Sequence, residues 1–146
     1  TPYFFGRLAS DTVITRNTLT KVTSMTNSEI DTDSAFDGTT FTVPSGEGGK
    51  YFIQGTVTGD YGSAGQDGEE TVASLYKNGS SIQLATIRTS SSVTGTGRVI
   101  TTVASTIQDL SASDTIELYA LITDASGDNA KVKGEMTTLL GYKLIG

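Results

Sequence analysis

The sequence predicts an all-β protein, and three observations support this prediction. The chain of 146 residues contains 17 Gly but only 2 Pro, and it is rich in Thr and Ser, which favour strands and turns. Charged residues make up 18% of the chain, below the usual quarter. No segment has the run of Glu, Lys, Ala and Leu that builds a helix. A chain of this length forms one domain, residues 1–146, and can fold without a metal or a disulfide.

The strands are predicted from alternating apolar side chains and from the turn residues between them. The first run, 3–9, is short and aromatic, and it is either a loose apolar arm or the first strand of the core. The pair Asn78–Gly79 lies between two β runs and predicts a type I′ hairpin, because both central positions of that turn need φ > 0. The other predicted strands are 41–44, 50–57, 72–77, 82–87, 98–107, 114–123 and 136–145.

Polar segments between these strands are predicted to be surface loops: 27–37, 59–70, 89–97 and 124–129. Two of them carry clustered carboxylates, which are ligands that Ca²⁺ accepts. These carboxylates are Asp60, Asp67, Glu69 and Glu70 in one loop, and Asp124 and Asp128 in the other. We favour the simpler interpretation that they are solvated and keep the protein soluble, so we predict no metal site.

The composition excludes the common catalytic machines. The chain has no Cys and no His, which removes thiol nucleophiles, zinc-thiolate sites and the Ser-His-Asp arrangement. The segment 31–42 lacks the glycine of an EF-hand loop, because Phe36 occupies that position. We therefore predict no enzyme activity, no catalytic residues and no cofactor. The net charge of -6 argues against nucleic acid or an anionic membrane as a partner.

Two strands near the end of the chain are apolar on both faces, and this predicts a subunit contact. An outer strand of a two-sheet sandwich normally has one wet face, so a second apolar face needs another cover. Either a second subunit or the protein's own loops could supply it, and we favour the subunit. The candidate contact residues are Tyr119, Leu121, Leu139 and Tyr142.

Four motifs in order resemble those of the C1q and tumour-necrosis-factor-like jelly rolls. The motifs are Phe36–Asp37 with 41–44 and 49–53, then 75–79, then Leu110 with 114–116, and finally 139–144. The sequence departs from the family pattern at Ile53, where phenylalanine is usual, and at Ser113, where glycine is usual. The resemblance implies a ten-strand jelly-roll sandwich that forms a homotrimer and has a binding or structural role.

A Cys-free, acidic chain without a collagen stalk looks more like the trimeric jelly rolls of bacteriophage virions than like the animal members. We therefore predict a capsid decoration, or cement, protein that stabilises a phage head and has the major capsid protein as a partner. The candidate attachment residues are Tyr3, Phe4 and Phe5. The alternatives are the receptor-binding head of a phage tail or head fibre, and a secreted C1q-like ligand or glycan-binding trimer.

Overall fold

The computed structural model describes residues 1–26, 30–61, 70–88, 99–123 and 130–144. These residues form twelve strands and no helix, and therefore contain no helix suited to crossing a membrane. The strands are β1 (Tyr3–Arg7), β2 (Thr12–Val13), β3 (Thr20–Lys21), β4 (Ile30–Asp31), β5 (Thr40–Thr42), β6 (Gly49–Asp60), β7 (Glu70–Lys77), β8 (Ser80–Arg88), β9 (Val99–Leu110), β10 (Thr115–Thr123), β11 (Lys131–Val132) and β12 (Thr138–Lys143).

The strands form two antiparallel sheets. The seven-stranded sheet has the order β2-β11-β6-β12-β1-β4, and β9 pairs with β6 along its full length. The five-stranded sheet has the order β3-β10-β7-β8, and β5 also pairs with β10. The all-β prediction is confirmed. The resemblance implied ten strands and the described residues form twelve; four of these, β2, β3, β4 and β11, are pairings of only two residues each.

The predicted hairpin is present at its predicted position. Strand β7 ends at Lys77 and β8 begins at Ser80, and the two turn residues have φ of 50° at Asn78 and 78° at Gly79. The predicted strands 98–107 and 114–123 correspond to β9 and β10. Of the predicted loops, 89–97 and 124–129 lie outside the described residues, as do parts of 27–37 and 59–70.

The core lies between the two sheets and is built from alternate residues of the long strands. Phe4 is part of this core, and its ring centroid lies 4.3 Å from that of Phe41 and 5.1 Å from that of Phe36. Glycine allows a close approach of the two sheets: a Cβ on Gly55 would lie 2.5 Å from the Cδ1 atom of Leu118. The facing alternate residues of β10, which the sequence placed on one face, are all buried: Ile116, Leu118, Ala120 and Ile122.

Candidate self-association interface

The outward face of the seven-stranded sheet carries a set of apolar side chains, which we call the apolar face. Side chains alternate along a strand, so the outward-facing residues of β1, β6, β9 and β12 alternate with residues that point into the core. Phe5, for example, is half-buried while its neighbour Phe4 is 1% exposed. The apolar face consists of Tyr3, Phe5, Ile30, Phe52, Ile107, Leu140 and Tyr142.

Strand pairing arranges much of the apolar face in one row. Tyr3 lies opposite Tyr142, Tyr142 lies opposite Phe52, and Phe52 lies opposite Ile107. The rings of Phe52 and Tyr142 have their centroids 5.3 Å apart, within the range in which aromatic pairs attract. The row crosses four strands, β1, β12, β6 and β9, so its members form a continuous strip rather than isolated surface residues.

A second row runs beside the first and extends the apolar face. Ile30 lies opposite Phe5, Phe5 lies opposite Leu140, and Leu140 lies opposite Gln54. The row becomes polar at Gln54 and at its partner Ser105. The apolar face is therefore broadest over β1 and β12 and narrows towards β9.

Several members of the apolar face are well exposed in the single chain. Ile107 is 59% exposed, Tyr142 is 42% exposed, and Tyr3 and Ile30 are each 38% exposed. Scattered exposed apolar residues need no explanation, but a contiguous apolar patch on a soluble domain marks an interaction surface. Charges lie at its margin, where Lys50 binds Asp109 at 2.8 Å next to the Phe52–Ile107 pair. Both charged side chains are largely exposed, so this pair contributes little to stability.

The structure does not bring the four predicted contact residues together. Tyr142 lies on the apolar face, but Leu139 is fully buried in the core and has no surface to offer another subunit. Tyr119 and Leu121 lie on the outward face of the other sheet, on β10. There Tyr119 stacks on Tyr76 with ring centroids 4.0 Å apart. The two apolar faces of each strand were recognised correctly, but the sequence did not show which one points outward.

The sequence did not identify four residues of the apolar face as contact residues: Ile30, Phe52, Ile107 and Leu140. Leu140 belongs to a strand with apolar residues on both faces, whereas Phe52 is the one apolar side chain on the outward face of β6. Val103 and Ile107 alternate regularly along β9. That alternation was a usable signal, since it placed Val103 and Ile107 on one face of a strand. It did not show that this face continues across β6 and β12, because strand pairing between distant segments leaves no local mark.

The aromatic segment at the start of the chain is the first strand, one of the two interpretations that the sequence allowed. Strand β1 pairs with β12 from Tyr3 to Arg7 and with β4 at Phe4 and Phe5. Phe4 is buried between the sheets and is therefore not available to attach to a capsid. Tyr3 and Phe5 point outward as part of the apolar face. Attachment through this segment stays a prediction, narrowed by the structure to these two residues.

Most of the acidic residues in the described part of the chain are engaged with cations or backbone amides. Glu70 binds Arg88 at 2.8 Å, and hydrogen bonds from Thr86 and Arg88 lower the pKa of the Glu70 carboxyl. Asp60 lies 3.7 Å from Lys133. Asp67, Glu69, Asp124 and Asp128 lie outside the described residues. Within the described ranges, no three acidic, His or Cys side chains converge on a point where a metal could bind.

An open cleft of about 460 Å³ lies beside β5. Its lining includes Asp33, Asp37, Thr40 and Ser113. The Asp37 carboxylate accepts hydrogen bonds from the backbone N–H groups of Thr39 and Thr40, at 2.8 Å and 2.7 Å. The carboxylate is thus part of a turn and stabilises the local backbone. The cleft has no nucleophile paired with a base, so its geometry does not resemble a catalytic site.

Comparisons with known proteins identify the fold. No protein-family model matches the sequence, and no curated protein matches it. Solved structures do match over nearly the whole chain. The globular domain of zebrafish complement 1qA has a TM-score of 0.66 and 13% identity, with 99% of this chain and 98% of that chain covered.

Two further solved structures belong to the tumour-necrosis-factor group. Eiger TNF from S. frugiperda has a TM-score of 0.61 and 10% identity, with 99% of this chain and 91% of that chain covered. Murine APRIL has a TM-score of 0.61 and 14% identity, with 98% of each chain covered.

The chain has a C1q/TNF-like jelly-roll fold. The sequence motifs and the solved structures agree on this fold, although the identities of 10–14% are too low to transfer a function. Function depends on the surfaces that this jelly roll presents, and the apolar face is the clearest of them.

Proposed function

We propose that this jelly roll is a non-catalytic module that assembles as a homotrimer through the apolar face. The single observation that carries the proposal is the continuous strip of apolar side chains across β1, β12, β6 and β9. Burying a large apolar side chain contributes about 1.5–3 kcal/mol, and the strip contains several such side chains. A second copy of the chain offers the same apolar chemistry and is always present at the concentration of the protein itself. The number three comes from the resemblance to the C1q and TNF-like jelly rolls.

The mass of the protein in solution tests this proposal. Light scattering or native mass spectrometry at micromolar concentration should give three times the chain mass of 15.2 kDa. Ile107→Glu places a charge in the apolar face, and burying a charge without a partner is strongly unfavourable. We therefore expect this variant to be a folded monomer.

Leu84→Glu is the matched control for this experiment. Leu84 is 54% exposed, close to the 59% of Ile107, but it lies on β8 of the other sheet. This variant should remain a trimer. A wild-type protein of monomer mass, or an Ile107→Glu variant that stays trimeric, would contradict the proposed interface.

The finer proposal is that the trimer decorates a virion, as a cement protein bound to the major capsid protein of a phage head. Its support is the Cys-free, acidic composition together with the absence of a catalytic arrangement in the described residues. The solved structures named above support the fold and not this role. Because the proposed trimer uses the apolar face, which includes Tyr3 and Phe5, this proposal moves capsid attachment from those two residues to another surface of the subunit.

Copy number on purified virions tests the decoration role. We expect the protein to remain with full particles through a density gradient, in a fixed number per capsid that is divisible by three. It should also bind particles that lack it and raise their resistance to heat. Absence from virions, combined with binding to a cell surface or a glycan, would favour the alternatives of a fibre head or a secreted C1q-like ligand.

A further inference from the structure

The turn between β7 and β8 contains an asparagine whose side chain is held on both sides. Asn78 donates a hydrogen bond from Nδ2 to the Oδ1 atom of Asp114 at 2.7 Å. Its Oδ1 atom accepts from the backbone N–H of Thr115 at 2.8 Å and from the Thr115 hydroxyl at 3.3 Å. The orientation of the amide is unambiguous, because a carboxylate can only accept and a backbone N–H can only donate.

The partner carboxylate is itself fixed in place. The other oxygen of Asp114 accepts from the backbone N–H of Ser111 at 2.8 Å and binds Lys77 at 3.0 Å. The hydrogen bond from Asn78, together with those from Ser111 and Lys77, holds the pKa of the Asp114 carboxyl at about 2. The tip of the β7–β8 hairpin is therefore tied to the turn between β9 and β10 through Asn78 and Asp114, which we call the amide clamp.

The residue after Asn78 makes this position chemically vulnerable. Gly79 has no side chain, so its backbone nitrogen can reach the Cγ atom of Asn78 more easily than any other residue type allows. When that nitrogen loses its proton and attacks, a C–N bond forms, the bond from Cγ to Nδ2 breaks, and ammonia leaves. The resulting succinimide ring is opened by water at either carbonyl, which gives aspartate or isoaspartate. Asn78 and Gly79 are both exposed, so water and hydroxide reach them.

We propose that Asn78 is a deamidation site that the amide clamp keeps unreactive in the folded protein. The attack requires the side-chain amide to rotate towards the Gly79 nitrogen, and rotation breaks the bonds to Asp114 and Thr115. The leaving nitrogen is also the atom that Asp114 holds. Reaction therefore occurs from conformations in which the clamp has opened, and its rate reports how often the hairpin separates from the β9–β10 turn.

The modified residue would not restore the clamp. Aspartate at position 78 replaces the Nδ2 donor with a carboxylate oxygen next to Asp114, so an attractive hydrogen bond becomes a repulsion between like charges. Isoaspartate adds a carbon to the main chain in a turn that needs φ > 0 at both central positions. Either product should loosen this end of the sandwich permanently, so the modification would act as a timer for the age of the protein.

Peptide mapping by mass spectrometry tests the proposal on the full chain. Trypsin cleaves after Lys77 and Arg88, which releases residues 78–88 with Asn78 as the only asparagine. The protein is held at pH 8.5 and 37 °C, and the gain of one mass unit at Asn78 is followed over weeks. The native protein should react at least about tenfold more slowly than the same protein in guanidinium chloride. Equal rates would overturn the proposal.

Two variants test whether the amide clamp, rather than the overall stability of the fold, sets the deamidation rate of Asn78. Asp114→Ala removes the acceptor for Nδ2 and should accelerate deamidation while circular dichroism shows that the fold is kept. Asp109→Ala is the control, since this exposed side chain binds Lys50 and not Asn78, and it should leave the rate unchanged. An unchanged rate in folded Asp114→Ala would overturn the proposal.

If Asp114→Ala does not fold, the melting temperatures of Asn78→Asp at pH 7 and below pH 4 test the amide clamp instead. Asn78→Asp mimics one product and should lower the melting temperature at pH 7, with a smaller loss below pH 4, where a carboxyl becomes protonated. A melting temperature equal to that of the wild type at pH 7 would contradict the assignment of the clamp.

Discussion

Replacing Phe4 with alanine should lower the free energy of unfolding substantially, because Phe4 is a core residue and not part of an arm. Its ring is 1% exposed and stacks against Phe41 and Phe36. A Cβ on Gly141 would lie 2.8 Å from the Cε1 atom of Phe4, so the ring is packed tightly from the neighbouring strand as well. The alanine variant would leave a cavity that such close-packed surroundings cannot fill.

The size of the effect follows from burial and packing. Truncation of a buried phenylalanine to alanine costs about 3–5 kcal/mol, which includes the loss of attraction to the stacked rings. The free energy of unfolding of a typical domain is only about 5–15 kcal/mol. For a chain of this size each kcal/mol lowers the melting temperature by about 2–4 °C, so we expect a loss of roughly 6–20 °C.

Thermal melting at fixed protein concentration measures this change, with Phe5→Ala as the control. Phe5 is the same residue type at the next position, but it points outward onto the apolar face and is half-buried. Phe5→Ala should weaken association more than it weakens the folded subunit. A Phe4→Ala variant with the melting temperature of the wild type would mean that β1 is a loose arm, and the assignment of the first strand would be wrong.

Three further predictions concern charge, close packing and metal. The pKa of Asp114 is lowered from 3.8 to about 2 in the fold. The stability that its carboxylate contributes is therefore complete above pH 4 and is lost as the pH falls towards 2. Asp114→Asn should reduce the slope of melting temperature against pH between pH 4 and pH 2. Gly55→Ala should cost about 1–3 kcal/mol, measured by denaturant unfolding, because the added Cβ would lie 2.5 Å from Leu118 Cδ1; an unchanged midpoint would show that the sheets can separate freely there. EDTA should leave the melting temperature unchanged, and a large drop would show that the acidic loops hold structural calcium.

The all-β class and the hairpin were predicted from the sequence because both depend on neighbours along the chain. The turn at Asn78–Gly79 needs residues that tolerate positive φ, and asparagine followed by glycine is the pair that supplies them. The alternation along β9 and β10 was likewise correct, since it has a period of two wherever one face of a strand is buried. The jelly-roll fold required more, namely short motifs in a fixed order that resemble a known family.

The candidate site was predicted only in part because it depends on contacts between distant segments. Tyr142 was identified, but Phe52 and Ile107 become its neighbours only when β12, β6 and β9 pair. Leu139 was assigned to the interface although it faces the core, since two apolar faces of one strand cannot be told apart by composition. The burial of Thr58 depends on distant segments in the same way. Thr58 is a polar residue on the outward side of β6, yet it is fully buried, and its hydroxyl is hydrogen-bonded to Thr101 and to the Met136 carbonyl.

The sequence by itself determined the period of each strand, the position of the tight turn and the absence of histidine and cysteine chemistry. The tertiary structure decided which face of each strand is buried, and therefore whether Phe4 binds a partner or packs in the core. The physical reason is that the alternation of side chains along a strand shows only that its two faces differ. The sheet packed against the strand determines which face loses contact with water. That sheet is built from segments far away in the chain, so its effect on any one strand becomes visible only in the folded molecule.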